Sequence, residues 1–203
     1  MFQDLSLLLW IHFLAASLAI ICGAGIFLLR KGTSLHRAIG VTYISAMFVT
    51  VISVVPVEAT FMPFFGTRFG FFHVFVLIGF MSLLFGIDRL LRWRSTRDPE
   101  MLRSHQIHLS YSYSGLLMAG FSQIASNPAW GLVAIGSVTQ FWTIFITVNL
   151  IIYAIAVFLI QSRLAKGDPR RWYAAYAQPS QRTDSSNGAR FTSNWFTGAS
   201  GSR

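Results

Sequence analysis

Charged residues are scarce in this chain of 203 residues: only 11% are Asp, Glu, Lys or Arg, and only seven residues are acidic. A soluble domain carries roughly 25% charged residues. The chain therefore has too few charges to cover a water-exposed surface. Its mean hydropathy of +0.55 and its 54% of hydrophobic residues indicate an integral membrane protein.

Cysteine is nearly absent, since Cys22 is the single one in the chain. One cysteine excludes an internal disulfide and the C-x-x-C-H attachment of a c-type haem. We interpret Cys22 as a small packing residue. The sequence also has no phosphate-binding glycine loop, no zinc-protease motif and no evident nucleophile–base pair. Hydrolytic chemistry is therefore not predicted, and any enzymatic activity is expected to be that of a membrane oxidoreductase.

Long apolar runs dominate what the chain does contain. A helix needs about 20 mainly apolar residues to cross a ~30 Å hydrocarbon core. Five segments qualify, at about 5–29, 38–61, 71–92, 105–127 and 139–162. Short connections favour antiparallel neighbours. We predict an all-α polytopic membrane protein over residues 1–162, with a four-helix up-down transmembrane bundle and a fifth transmembrane helix beside it.

Basic residues are unevenly distributed among the connections. They cluster between spans one and two, between spans three and four, and after span five, whereas only Arg68 lies between spans two and three. Cytoplasmic loops carry the excess of Lys and Arg. We therefore predict an outside N-terminus and a cytoplasmic C-terminus, with residues 163–203 as a mostly disordered basic tail. Topology explains the net charge of +9, so the predicted partner is the lipid bilayer and not nucleic acid.

All the histidines lie in or at the ends of the first four spans; they are His12, His36, His73, His105 and His108. The first and third spans should carry His12 and His73 in the outer half of the membrane. The second and fourth should carry His36 and His105 in the inner half. Spans one and three are diagonal in an up-down bundle, as are two and four. Because histidine is a common haem ligand, we predict up to two b haems with bis-histidine ligation of the iron.

Other residues are compatible with haem but also have simpler explanations. Gly40 shares a helix face with His36, and Gly115 shares one with His108, which would leave room for a porphyrin. Cationic partners for haem propionates are available at both membrane boundaries. These are Lys31, Arg37 and Arg103 inside and Arg68 outside, and each also fits the topology. A zinc or copper chelate of His36, His105 and His108 is an alternative.

Several further residues are predicted to join helices or to anchor them. Small residues favour close helix approach in lipid; those on the spans are Ala15, Ala19, Gly23, Ser45, Gly115 and Gly120. We interpret Tyr43, Tyr111 and Tyr113 as interfacial anchors, the alternative being a quinone pocket or a proton path. The deepest polar residue, Asn149, is expected to bond helices together.

Three strings carry a resemblance to a known family: KGTSLHRAIGVTY, FFHVFVLIGF and HQIHLSYSYSGLLMAGFSQ. Over roughly residues 8–125 the chain resembles the bacterial membrane family catalogued as domain of unknown function 2306. The matching positions are His12, Lys31, Gly32, His36, Arg37, Gly40, Tyr43, Phe72, His73, His105, Ser112, Tyr113 and Gly115. The resemblance implies a bacterial inner membrane and makes His105, rather than His108, the family histidine. A position that is commonly glycine in the family is Ala16 here.

The family has no established biochemistry, and its likeness to transmembrane dihaem cytochromes b is an architectural analogy. Our first hypothesis is a b-type dihaem electron-transfer protein that exchanges electrons with quinol or a redox partner protein. The alternative is a non-catalytic membrane assembly or interaction subunit, whose histidines cap helices and bind partner helices. A small transporter or metal carrier is the third interpretation.

Overall fold

The described part of the chain consists of long α-helices and contains no strand. The computed structural model describes residues 7–56, 67, 69–126 and 137–165. Its helices are α1 (Leu7–Leu28), α2 (Ser34–Val54), α3 (Phe71–Thr96), α4 (Pro99–Ser126) and α5 (Val138–Ile160), and a π-helical turn (Gln161–Ala165) follows α5. The prediction of an all-α polytopic bundle is confirmed.

Four of these helices, α1, α2, α3 and α5, are long and apolar enough to cross a membrane. The longest helix, α4, is more polar, and it packs against α1, α3 and α5. Its buried side chains include Ser110, Ser112, Ser114 and Ser122. A helix needs an apolar surface only where it faces lipid, so a helix surrounded by others tolerates these hydroxyls. The lower hydropathy of α4 comes from these serines together with its charged residues, histidines and glutamines, which are Glu100, Arg103, His105, Gln106, His108 and Gln123.

Capping residues extend the helices beyond the predicted apolar segments. The hydroxyl of Thr33 accepts a hydrogen bond from His36 N at 3.1 Å, so α2 begins at Ser34. Helix α3 continues to Thr96 and ends where Arg97 adopts the left-handed conformation. Helix ends follow caps rather than hydropathy, which accounts for the difference. The predicted end of span two, the position of Arg68 and nearly all of the predicted tail lie outside the described residues.

The helices follow the order of an up-down bundle. Helix α1 packs along α2 and α3 along α4, while α2 meets α3 and α1 meets α4. This places α1 diagonally from α3 and α2 diagonally from α4, as predicted. Helix α5 packs on α4 outside this ring. All four ring helices contribute to the buried core, which contains Ala19, Tyr43, Ala46, Met47, Leu83 and Leu116.

Glycine sets the closest approach between helices. A Cβ on Gly115 would lie 3.2 Å from Gly79 Cα, so the backbones of α3 and α4 touch there. Gly115 therefore serves close helix approach, as predicted, whereas the prediction that it leaves room for a porphyrin is wrong, because α3 fills that space. Ala15, Ala19 and Gly23 are buried on α1 as predicted. Ser45 is exposed, and that part of the prediction is wrong because α2 turns the neighbouring residue to the core.

Asn149 bonds α5 to α4, as predicted. Its Nδ2 donates to Ser122 Oγ at 2.6 Å and to the Phe145 carbonyl at 2.7 Å. Interhelical hydrogen bonds in membranes contribute about 0.6 kcal/mol on average and up to about 1.7 kcal/mol. We expect Asn149→Ala to lower the free energy of unfolding in mixed micelles by about that amount. The control is Leu150→Ala at the neighbouring, exposed position. An equal loss of unfolding free energy in both variants would contradict a specific contribution from the bond between Asn149 and Ser122.

Candidate functional site

Three histidines lie near one end of the bundle. This end contains the α1–α2 connection (residues 29–33) and the α3–α4 connection (residues 97–98), and we call it the basic end. His36 lies in the first turn of α2, while His105 and His108 lie in the first half of α4. Because α2 and α4 are diagonal in the ring, the predicted inner ligand pair is His36 and His105.

His105 has the hydrogen bond that a haem or metal ligand usually has. Its Nδ1 lies 2.7 Å from the Gly86 carbonyl oxygen on α3. Because a carbonyl only accepts, Nδ1 must carry the proton, and the lone pair is on Nε2. Histidine ligands are commonly oriented by such a bond from the other ring nitrogen. The ring of His105 is therefore held in the tautomer that ligates through Nε2.

His36 has a ring nitrogen that the rest of the described chain leaves unpaired. Its Nδ1 is buried and has no hydrogen-bond partner among the described residues. The ring lies close enough to His105 for an electrostatic interaction between them. One turn along α2, a Cβ on Gly40 would meet no atom within 4 Å. His36 therefore lies within electrostatic range of His105, with open space beside it at Gly40.

Lys31 is a cation that acts on both histidines of this pair, whereas Arg94 acts on His105. The interactions of Lys31 with both rings are electrostatic. Its Nζ donates to the Ile26 carbonyl at 2.7 Å and lies 5.4 Å from the centre of the Phe27 ring. Burial lowers the pKa of its ammonium group. Lys31 could therefore accompany an acidic group bound beside the histidines.

The other predicted propionate partners are placed differently. Arg37 is exposed on the first turn of α2. Arg103 donates from Nε to the Leu164 carbonyl at 3.0 Å, which joins α4 to the turn that follows α5. Arg68 lies outside the described residues. The sequence did not distinguish Lys31 from the other cations at the basic end, because only packing shows which side chain turns inward.

The outer pair fits haem less well. His12 Nδ1 lies 3.0 Å from the Thr50 carbonyl oxygen, so it donates to α2 and keeps its lone pair on Nε2. His73 Nδ1 instead accepts from Gly70 N at 3.1 Å and closes the capping box of α3. A neutral ring that accepts at Nδ1 carries its proton on Nε2. The described tautomer of His73 therefore does not ligate through Nε2, and the predicted His12–His73 pair does not fit a haem in this arrangement.

His108 does not join the inner pair in a metal chelate. Its ring centre lies 5.8 Å from that of Phe85 on α3. Among the described residues, no group of three or more His, Cys, Asp or Glu could hold a metal ion. The alternative of a zinc or copper chelate by His36, His105 and His108 is therefore wrong.

Two tyrosines connect helices and do not act as interfacial anchors. Tyr43 is 1% exposed, and its hydroxyl lies 3.2 Å from Ser112 Oγ across the bundle. Tyr113 donates to the Ile20 carbonyl at 3.2 Å, and its ring covers Gly23. The anchor interpretation is wrong for this pair because their hydroxyls pair within the protein. Helical position alone did not reveal this role.

Comparison with known proteins adds no functional information. No family model, no curated protein and no solved structure matches the chain. The resemblance to the domain of unknown function 2306 family therefore rests on its motif residues alone and stays a prediction.

Proposed function

We propose that this chain is a b-type membrane haem protein of electron transfer, with His36 and His105 as the axial ligands. The observation that carries the proposal is the Nδ1 bond of His105 to Gly86, which leaves Nε2 available. Two further observations support it: the unpaired Nδ1 of His36 and the open space at Gly40. His36, Gly40 and His105 lie on α2 and α4, the two diagonal helices on which the sequence predicts the inner histidine pair.

Haem bound there would supply one-electron redox chemistry. The residues of the chain would bind the group and adjust its properties. Gly86 holds the ring of His105 in position, and Lys31 places a positive charge beside both histidines, which favours bound carboxylates. The proposed electron donor or acceptor is quinol in the bilayer or a redox partner protein at the basic end. We also propose that this end faces the cytoplasm across a bacterial inner membrane.

The proposal does not include a haem between His12 and His73. The capping bond of His73 gives that ring the other tautomer, so no step of electron transfer is assigned to the outer pair. A second haem would require His73 to leave its cap.

A second candidate function is that of a non-catalytic assembly or interaction subunit. Three histidines make hydrogen bonds that stabilise the bundle itself: His12 bonds to α2, His73 caps α3, and His105 bonds α4 to α3. A transporter or metal carrier has less support, because the described residues contain no group able to hold a metal ion.

The test is a dithionite-reduced minus oxidised spectrum of the full chain, expressed with haem supply and purified in detergent. We expect the sharp reduced bands of a bis-histidine haem and about one haem per chain by pyridine haemochrome assay. A stoichiometry near two would restore the outer pair as a second site. A colourless protein with a helical circular dichroism spectrum would overturn the proposal and favour the assembly subunit.

A further inference from the structure

Helix α3 carries two buried N–H donors near the basic end that find no acceptor within the described residues. They are Arg89 Nε and Trp93 Nε1. Residues four apart lie on one face of a helix, so the two side chains are neighbours. Burying donors without acceptors is costly. A bound group that supplies acceptor oxygens would satisfy both.

The nearest acidic side chain is used by another arginine. Both carboxylate oxygens of Asp88 accept from Arg92 Nε, at 3.0 and 2.9 Å. Asp88 Oδ2 lies 3.9 Å from Arg89 Nε, beyond hydrogen-bond distance. Arg89 Nη1 contacts Met101 Sδ at 3.7 Å, and a thioether sulfur is a weak acceptor. The charge of Arg89 therefore has no short ion pair.

The surroundings of these donors favour an anion. Arg97 lies over the ring of Trp93, with its guanidinium carbon 5.1 Å from the ring centre. Arg89 and His108 are close enough to interact electrostatically. Arg89 thus has His108 within electrostatic range, and the carboxylate that the described residues place within 4 Å of it, that of Asp88, already accepts from Arg92. A phosphate group matches this arrangement, because its oxygens accept from guanidinium and indole N–H groups.

An exposed apolar stripe leads to the two donors along α3. Leu77, Met81 and Phe85 repeat every four residues before Arg89, and they are 58%, 41% and 49% exposed. At 1.5 Å per residue the stripe and the donors span roughly 18 Å between residues 77 and 89. This is close to the length of an extended acyl chain. The ligand that fits both parts therefore has an anionic head and a long apolar tail.

We propose that Arg89 Nε and Trp93 Nε1 bind the phosphate group of an anionic phospholipid, whose acyl chain lies along Leu77, Met81 and Phe85. Basic pockets between transmembrane helices bind anionic headgroups in this way. The site uses none of the residues assigned to haem. A soluble phosphate shares the chemistry of the lipid headgroup but has no apolar part that could contact the apolar stripe.

Native mass spectrometry of the full chain in detergent tests the proposal, with phosphatidylglycerol, phosphatidylcholine and inorganic phosphate as the probes. We expect phosphatidylglycerol to bind more tightly than phosphatidylcholine. Arg89→Gln should weaken its binding by about tenfold or more, as for hydrogen bonds to charged groups. Trp93→Phe removes one neutral donor and keeps the ring, so a loss of about threefold is expected.

The control is Arg30→Gln, which removes one positive charge from an exposed position at the same end. It should change the affinity for phosphatidylglycerol by less than about twofold. Equal losses in the Arg30 and Arg89 variants would overturn the site and leave general attraction to the basic end. Displacement of phosphatidylglycerol by inorganic phosphate would overturn the lipid assignment. If Arg89→Gln does not fold, unchanged binding by Trp93→Phe would overturn the proposal.

Discussion

His105→Ala is expected to abolish the low-spin reduced bands of the purified chain and to remove most of its haem. The substitution deletes the ligand whose tautomer is set by its 2.7 Å bond to the Gly86 carbonyl. A porphyrin held through one remaining axial histidine would lose its low-spin reduced bands, and detergent extraction would remove much of it. The measurement is the pyridine haemochrome content per chain, together with the reduced spectrum. His36→Ala should give the same result.

His108→Ala is the matched control for this prediction. It removes the same type of side chain from the same helix, three residues further on, where the ring contacts Phe85. Haem content should stay at the level of the unmodified chain. His73→Ala should also keep its haem, while losing roughly 0.5–1.5 kcal/mol of stability with the capping bond. Haem loss in the His108 variant and retention in the His105 variant would contradict the assignment of the ligands.

Gly40→Leu tests the same site without touching a ligand. A side chain there enters open space, since an added Cβ meets nothing within 4 Å. If haem occupies that space, the larger side chain should reduce haem content while the helical spectrum and the unfolding midpoint of the haem-free chain stay unchanged. Full haem content in this variant would place the porphyrin elsewhere.

Gly115→Val is expected to cause the largest loss of stability among single substitutions in the bundle. A Cβ at this position would lie 3.2 Å from Gly79 Cα and 3.6 Å from Gly79 N, and backbone atoms cannot rotate away as a side chain can. Overpacking typically costs about 1–3 kcal/mol and occasionally more. We expect a loss at or above the upper end, because α3 and α4 must separate. The measurement is equilibrium unfolding in mixed micelles, followed by circular dichroism.

Gly40→Val is the matched control, since it makes the same substitution in the middle of a helix. The β-branched side chain has the same intrinsic effect on a helix in both variants, but at Gly40 it meets no neighbour. Measured on the haem-free chain, its free energy of unfolding should therefore stay close to that of the unmodified chain. Equal losses in the two valine variants would show that helix propensity, and not the contact between α3 and α4, determines the effect.

The number of helices and their cyclic order could be predicted from the sequence. Apolar runs of sufficient length must form helices in lipid, because a helix satisfies its own backbone hydrogen bonds. Short connections then make neighbours antiparallel. The approximate depth of each histidine is predicted from its position in a run, and the diagonal placement of α2 and α4 is the basis for predicting His36 and His105 as a pair. The role of Asn149 was also predictable, since a lone deep amide needs a partner.

Only the tertiary structure decided which way each side chain turns and what it meets. His12 and His73 lie near the N-terminal ends of α1 and α3, yet one donates to α2 and the other caps α3. Hydrogen bonding depends on rotation about the helix axis and on local caps. Gly40 and Gly115 are the same residue type and each was predicted to share a helix face with a histidine, but Gly79 lies against only one of them. Composition and spacing specify how far along a helix a residue lies. The contacts between neighbouring helices specify which way its side chain points, and the chemistry of a site depends on that orientation.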